Sequence, residues 1–129
     1  MEKKLNNIVR VPCTLKSFFR YWFIFLRPFH HLTEREIDVI TSLAIHRHEL
    51  SKVIKDADIL DKVTMSEDTK KKVMEECNMT LLHFNTIMSK LRKNKVIVDG
   101  KINQRCIPNL TNESGPFLLL FDFEISDET

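Results

Sequence analysis

The sequence predicts a mainly α-helical protein with a small β part, and three observations predict it. Polar capping residues stand before apolar residues at helical spacing at Thr33, Ser66 and Thr80. The pair Asp99-Gly100 lies between short apolar runs, one of the best local signals for a tight hairpin. With 129 residues, 43% hydrophobic and only 2 Gly and 4 Pro, the chain can bury a real core and has no long flexible linker. Three zones follow: an aromatic, basic N-terminal arm (1–32), a helical domain (33–110) and an acidic C-terminal strand and tail (111–129).

The arm is the oddest stretch. Seven of the eleven aromatics fall between Phe18 and Phe29, in LKSFFRYWFIFLRPF. Its uninterrupted apolar run, Tyr21 to Leu26, is far short of the ~20 residues that span a membrane. It also lacks the small-residue cleavage site of a secretory signal. Phe18, Trp22, Phe25 and Leu26 follow helical spacing and can pack on the domain. The alternative is that so small a body cannot shelter all these rings, and the excess, Phe19 included, anchors a partner or a second copy. A helix lying on a membrane surface is a weaker option, because the apolar side chains are not confined to one side. Pro28 is expected to end the segment, since proline disfavours helical geometry in the residue before it.

The domain opens with Thr33-Glu34-Arg35-Glu36, a capping box in which Thr33 and Glu36 satisfy each other's backbone donors. Ile37, Ile40, Leu43 and Ala44 then form an inward face. From His46 to Thr64 the pattern is mixed; a short helix and a polar connection are expected, with Leu50, Val53, Ile54, Ile59 and Leu60 available to the core. Ser66 caps a helix with Glu67 and Asp68 in its first turn, where the helix dipole favours acids. Val73, Met74 and Cys77 face inward, and Asn78 stands where a left-handed residue closes a helix. Thr80 caps the next helix, whose Phe84, Ile87, Met88 and Leu91 lie at i, i+3, i+4 and i+7. Beyond the hairpin, Phe117 to Ile125 (FLLLFDFEI) alternates like a strand, with Phe117, Leu119, Phe121, Phe123 and Ile125 on one face. Left unpaired it is an aggregation hazard, so it is expected to join a sheet edge.

Charge is unevenly spread. Residues 1–35 carry seven basic and two acidic groups (+5) and residues 66–105 nine and five (+4). Residues 36–65 carry four and six (−2), and residues 106–129 none and five (−5). Two basic zones suit a chain that meets an anionic surface through selected regions. The three cysteines, 13, 77 and 106, are far apart and odd in number, which argues against a disulfide scaffold and for a reducing interior. They also lack Cys-x-x-Cys spacing, and neither His30-His31 nor His46/His48 can share a helix face, so no metal site is expected. No glycine-rich phosphate loop or nucleophile elbow is present. The reading is non-enzymatic, without cofactor or small-molecule substrate and without a membrane span.

Capped helix, connection, capped helix, tight turn, amphipathic helix, hairpin: over residues 33–107 this order resembles a winged helix-turn-helix. The opening LTEREIDVITSLA is similar to the start of many bacterial regulatory helix-turn-helix domains. Together with MTLLHFNTIMSKLRKNKVI and DGKINQRCIPNL, it resembles small helix-turn-helix proteins of tailed phages of gut Bacteroides, the crAss-like group included.

That resemblance implies a phage transcriptional or genome-associated factor that binds double-stranded DNA, in the host cytoplasm or within the virion. The exposed side of the third helix then carries Thr80, His83, Asn85, Thr86, Ser89, Lys90 and Lys93, with Lys95, Lys101 and Arg105 beside it. Small polar and amide side chains suit base edges, and the cations suit phosphates. An Arg in the helix's first half, the commonest guanine reader, is missing, which weakens sequence-specific reading. The alternative is a virion or assembly protein that uses the same body for docking, since fold does not decide function. Its contacts would come from both ends: Phe18, Phe19, Trp22, Phe25, Phe117, Leu119, Phe121 and Phe123.

Overall fold

The structure is a computed structural model that describes residues 8–110 and 114–127. Five helices lead: α1 (Leu15–His30), α2 (Glu34–Ser51), α3 (Ala57–Thr64), α4 (Glu67–Glu76) and α5 (Leu81–Lys93). A two-stranded antiparallel sheet follows, β1 (Ile97–Val98) with β2 (Lys101–Ile102), then a 3-10 turn at Gln104–Cys106. The molecule is mainly helical with a small β part, as the sequence predicts.

Helix α2 is the axis of the fold. Residues Glu36, Ile37 and Val39 through Ala44 are all buried, and α1, α3, α4 and α5 each pack against it. Its start is fixed by the Thr33 cap: the hydroxyl accepts from the Glu36 N–H, and the Glu36 carboxylate accepts from the Thr33 N–H. Between residues 39 and 44, where every side chain is buried, the helix must enclose polar groups too, and these need partners. Ser42 donates to Glu76 of α4 at 2.8 Å. Among the described residues the buried Thr41 hydroxyl has no partner.

Helix α1 supplies Phe19 and Phe23 to the same core as Ile37, Ile40, Leu43 and Leu91. The expected inward register of Phe18, Trp22, Phe25 and Leu26 is therefore rotated. Phe18, Trp22 and Leu26 flank the core, Phe25 is exposed, and Phe19 is enclosed and unavailable to a partner. Aromatics on every side of a helix give no single favoured face, so spacing alone cannot fix the register. The Trp22 indole N–H donates to the Cys106 carbonyl at 2.9 Å. Nor does Pro28 stop the helix, which runs two residues further. Its missing N–H deprives only the carbonyl four residues back, that of exposed Ile24. Closure comes at left-handed His31, with the Leu32 N–H on the Arg27 carbonyl at 3.2 Å.

Between His46 and Thr64 the structure is more helical than expected, because α2 continues to Ser51 and α3 follows. The Arg47–Asp61 pair, 3.0 Å apart and mostly shielded from solvent, ties the two together. Leu60 joins the core; Val53 and Ile59 are exposed. A larger correction concerns Phe117 to Ile125, which forms no strand. The sheet has two residues per strand, too short an edge to template a nine-residue partner. The segment instead lies extended against α1, with the Phe117 ring edge-on to Phe18 (4.9 Å) and to Trp22 (5.9 Å).

Candidate nucleic-acid interface

The α4–α5 corner is built from local chemistry. Ser66 caps α4 by accepting from the Thr69 N–H, and Thr80 caps α5 by accepting from the His83 N–H at 3.2 Å. At the end of α4, Asn78 is left-handed (φ 52°). The Met79 N–H reaches the Met74 carbonyl at 3.0 Å and the Asn78 N–H the Glu75 carbonyl at 3.2 Å, the paired bonds of a Schellman closure. Arg35 of α2 donates to the Cys77 carbonyl at 2.8 Å while pairing with Asp38, which pins the corner to the axis helix.

Helix α5 closes in the same manner one element later. Lys95 takes the left-handed position (φ 66°), with the Val96 N–H on the Leu91 carbonyl and the Lys95 N–H on the Arg92 carbonyl. The hairpin turn has positive φ at both Asp99 (55°) and Gly100 (73°), the requirement of a type I′ turn. Asn103 anchors the returning strand, its side chain donating to the Lys95 carbonyl at 2.8 Å. The hairpin is thus rooted on the end of α5.

With Phe84, Ile87, Met88 and Leu91 buried, α5 turns its other side to solvent. Asn85, Thr86, Ser89, Lys90 and Lys93 share one open surface, joined by Leu82. Thr80 and His83 are exposed at the start of the helix; Lys95, Lys101 and Arg105 are exposed at the hairpin and the turn after it. Not all of the polar groups are equally available. The Thr86 hydroxyl donates to the Leu82 carbonyl at 3.0 Å, and Thr80 is occupied as a cap. Among the described residues His83, Asn85 and Ser89 keep side chains with no such bond. Sequence reasoning, which counts Arg92 with Lys90, Lys93 and Lys95 at the basic end of the helix, misses Leu81 and Leu82, although Leu82 stands at i, i+3, i+4 and i+7 spacing with Asn85, Thr86 and Ser89.

The cations of this side differ from the arginines of α1 and α2, which carboxylates neutralise. Arg20 pairs with Glu34 and Asp38, Arg27 with Glu34, Arg35 with Asp38, and Arg47 with Asp61. Among the described residues Lys90, Arg92, Lys93, Lys95, Lys101 and Arg105 form no ion pair. The cysteines take no part in the surface. Burial raises the Cys106 thiol to about 11. Burial and then the nearby Asp38 raise that of Cys77.

Among the described residues no three His, Cys, Asp or Glu groups gather as a metal set, and no helix is long and apolar enough to cross a membrane. A cleft of about 200 Å³ between α1, α2 and residues 107–110, lined by Phe19, Ala44 and His48, is below the size of most small-molecule sites. No protein-family model, curated protein or solved structure matches the chain.

Proposed function

We propose that the chain is a non-enzymatic, winged helix-turn-helix protein that binds double-stranded DNA, of the kind a phage uses in transcription or genome handling. In this reading α4 supports α5, α5 enters the major groove and the hairpin is the wing. One observation carries it. The exposed side of α5 offers polar side chains bordered by Lys90, Lys93, Lys95, Lys101 and Arg105, which form no ion pair among the described residues, whereas the arginines of α1 and α2 are neutralised by carboxylates. Unpaired cations are what phosphate neutralisation requires. At about 20 Å long, α5 fits a groove that admits one helix. Asn85 then faces adenine, Ser89 any base edge, and Leu82 a thymine methyl.

The test is binding of a labelled duplex followed by anisotropy across a salt series. Lys90→Ala and Lys93→Ala should each lower the slope of log K against log salt by about 0.9. An unchanged affinity and slope in the double variant rejects this face as a DNA surface.

A virion or assembly role is the second reading, favoured by the exposed apolar side chains at Leu118, Leu120, Phe123 and Ile125. Co-purification with phage particles, without a duplex shift, would favour it.

A further inference from the structure

A large apolar surface lies apart from α5. On α1, Tyr21, Phe25 and Phe29 stand at i, i+4 and i+8, with Ile24 beside them, all exposed. Against this helix lies the extended segment 117–125, with the Phe121 ring 6.0 Å from Phe25. Its side chains alternate: Leu119 (41%) and Phe121 (47%) lean inward, while Leu118 (81%) and Leu120 (89%) point away. Taking about 200 Å² for a whole aromatic or large aliphatic side chain, these residues leave roughly 1,000 Å² of apolar surface open. That exceeds the few hundred Å² usual on a soluble monomer and the ~800 Å² per side of a standard interface.

We propose that the outer face of α1 and residues 117–125 form a two-fold interface with a second copy of this chain. Two features select that occupant. The first is self-recognition. Helix α1 already receives this sequence in cis, with Phe117 on Phe18 and Trp22 and Phe121 on Phe25, and Phe29 remains exposed near the end of the helix. A second copy brings the same side chains to the part left open.

The second is charge. The segment runs in the same direction as α1, so Asp122 and Glu124 lie beyond the Phe25 contact, toward the C-terminal half of the helix. With two α1 helices antiparallel across a two-fold axis, these carboxylates face the N-terminal end of the opposite α1. There Arg10 and Lys16 are exposed and, among the described residues, in no ion pair. An isologous contact makes the match twice. The same carboxylates, interleaved with Phe121, Phe123 and Ile125, oppose docking on an anionic membrane.

The interface shares no residue with the α5 surface, so it can fail or stand independently of DNA binding. Light scattering on the full chain at ~100 µM, well above a micromolar Kd, should give twice the chain mass. Phe29→Asp with Leu120→Asp should give the single mass and the melting temperature that the parent chain shows when diluted below association, because both side chains are exposed in one copy. Asp122→Lys with Glu124→Lys should weaken association about tenfold, and adding Arg10→Glu with Lys16→Glu should restore it. A full chain that stays at the single mass overturns the proposal. So does a dimer indifferent to the Phe29 and Leu120 changes, or charge variants with no rescue. Partition onto anionic vesicles in place of self-association also overturns it.

Discussion

The carboxylate of Glu36, buried at the start of α2, accepts a 3.1 Å hydrogen bond from the side-chain amide of Asn94, the residue that caps α5. The same oxygen takes the Thr33 N–H of the capping box. Asn94 is held from its other side, its carbonyl 3.0 Å from Nδ1 of His30 on α1. One buried carboxylate therefore joins the beginning of the axis helix to the end of the helix that carries the candidate surface.

Glu36→Ala should cost about 2–3 kcal/mol, since it removes charge-assisted hydrogen bonds and leaves the Asn94 amide without its acceptor. A double-mutant cycle with Asn94→Ala, followed by urea unfolding, should return a coupling of about 1 kcal/mol or more. Strict additivity would mean that the two groups do not hold each other.

Phe23 and Phe29 lie on one helix and should behave oppositely. Phe23→Ala opens the core and should cost about 3–5 kcal/mol. Phe29→Ala, at a position exposed in the single copy, should stay within about 0.5 kcal/mol at concentrations too low for association. Equal, small losses in thermal unfolding would show that α1 is a detachable arm.

At Lys95 strain and charge can be separated. An L-residue in the left-handed region costs roughly 1–2 kcal/mol, which glycine avoids. Lys95→Gly should therefore raise stability by about 1 kcal/mol while lowering the salt slope of duplex binding by about 0.9. A loss of stability would show that the lysine side chain, not its backbone, matters at this closure.

Cys106 gives an alkaline signature. Its thiol titrates at about 11 in the folded chain against 9.0 ordinarily, so above 9 the unfolded chain loses this proton first. The associated stability is complete below pH 9 and falls by about 1.4 kcal/mol per pH unit as pH rises toward 11. Cys106→Ala should remove that component from the pH–stability curve. Identical curves for the two proteins would contradict the shift.

Leu82 predicts a dependence on a single methyl group. Replacing thymine by uracil within a bound site should weaken binding by about fourfold per methyl contacted, from ~0.8 kcal/mol for each buried carbon. In Leu82→Ala the two duplexes should bind alike. Equal binding by the unaltered chain would place Leu82 away from the bases.

What was legible in the sequence was local. Thr33, Ser66 and Thr80 act as caps, Asn78 as a left-handed closure and Asp99-Gly100 as a hairpin turn because each needs only near neighbours. The α5 face follows from periodicity alone, and all ten polar and basic residues assigned to it or its flanks are exposed. The misses depend on partners distant in the chain. Phe19 and Phe23 are selected by the groove that α2 offers, which the ring-rich α1 sequence cannot reveal. Strand formation at 117–125 requires an edge of matching length, and alternation says nothing of whether one exists. The extension of α2 through His46 to Ser51 is stabilised in part by the Arg47–Asp61 pair, across 14 residues.

The enclosure of α2 by four other helices has a kinetic consequence. Each of the other four helices packs on it, so the core does not survive the loss of this one helix. Amide protons of residues 39–44 can reach deuterated solvent only when the whole fold is lost, and their exchange reads the global free energy. Residues 117–125, whose backbone has no hydrogen-bonded partner among the described residues, exchange almost as a free peptide does. The exchange map of a single copy is then nearly binary, and slowing within 117–125 as concentration rises would report assembly one amide at a time.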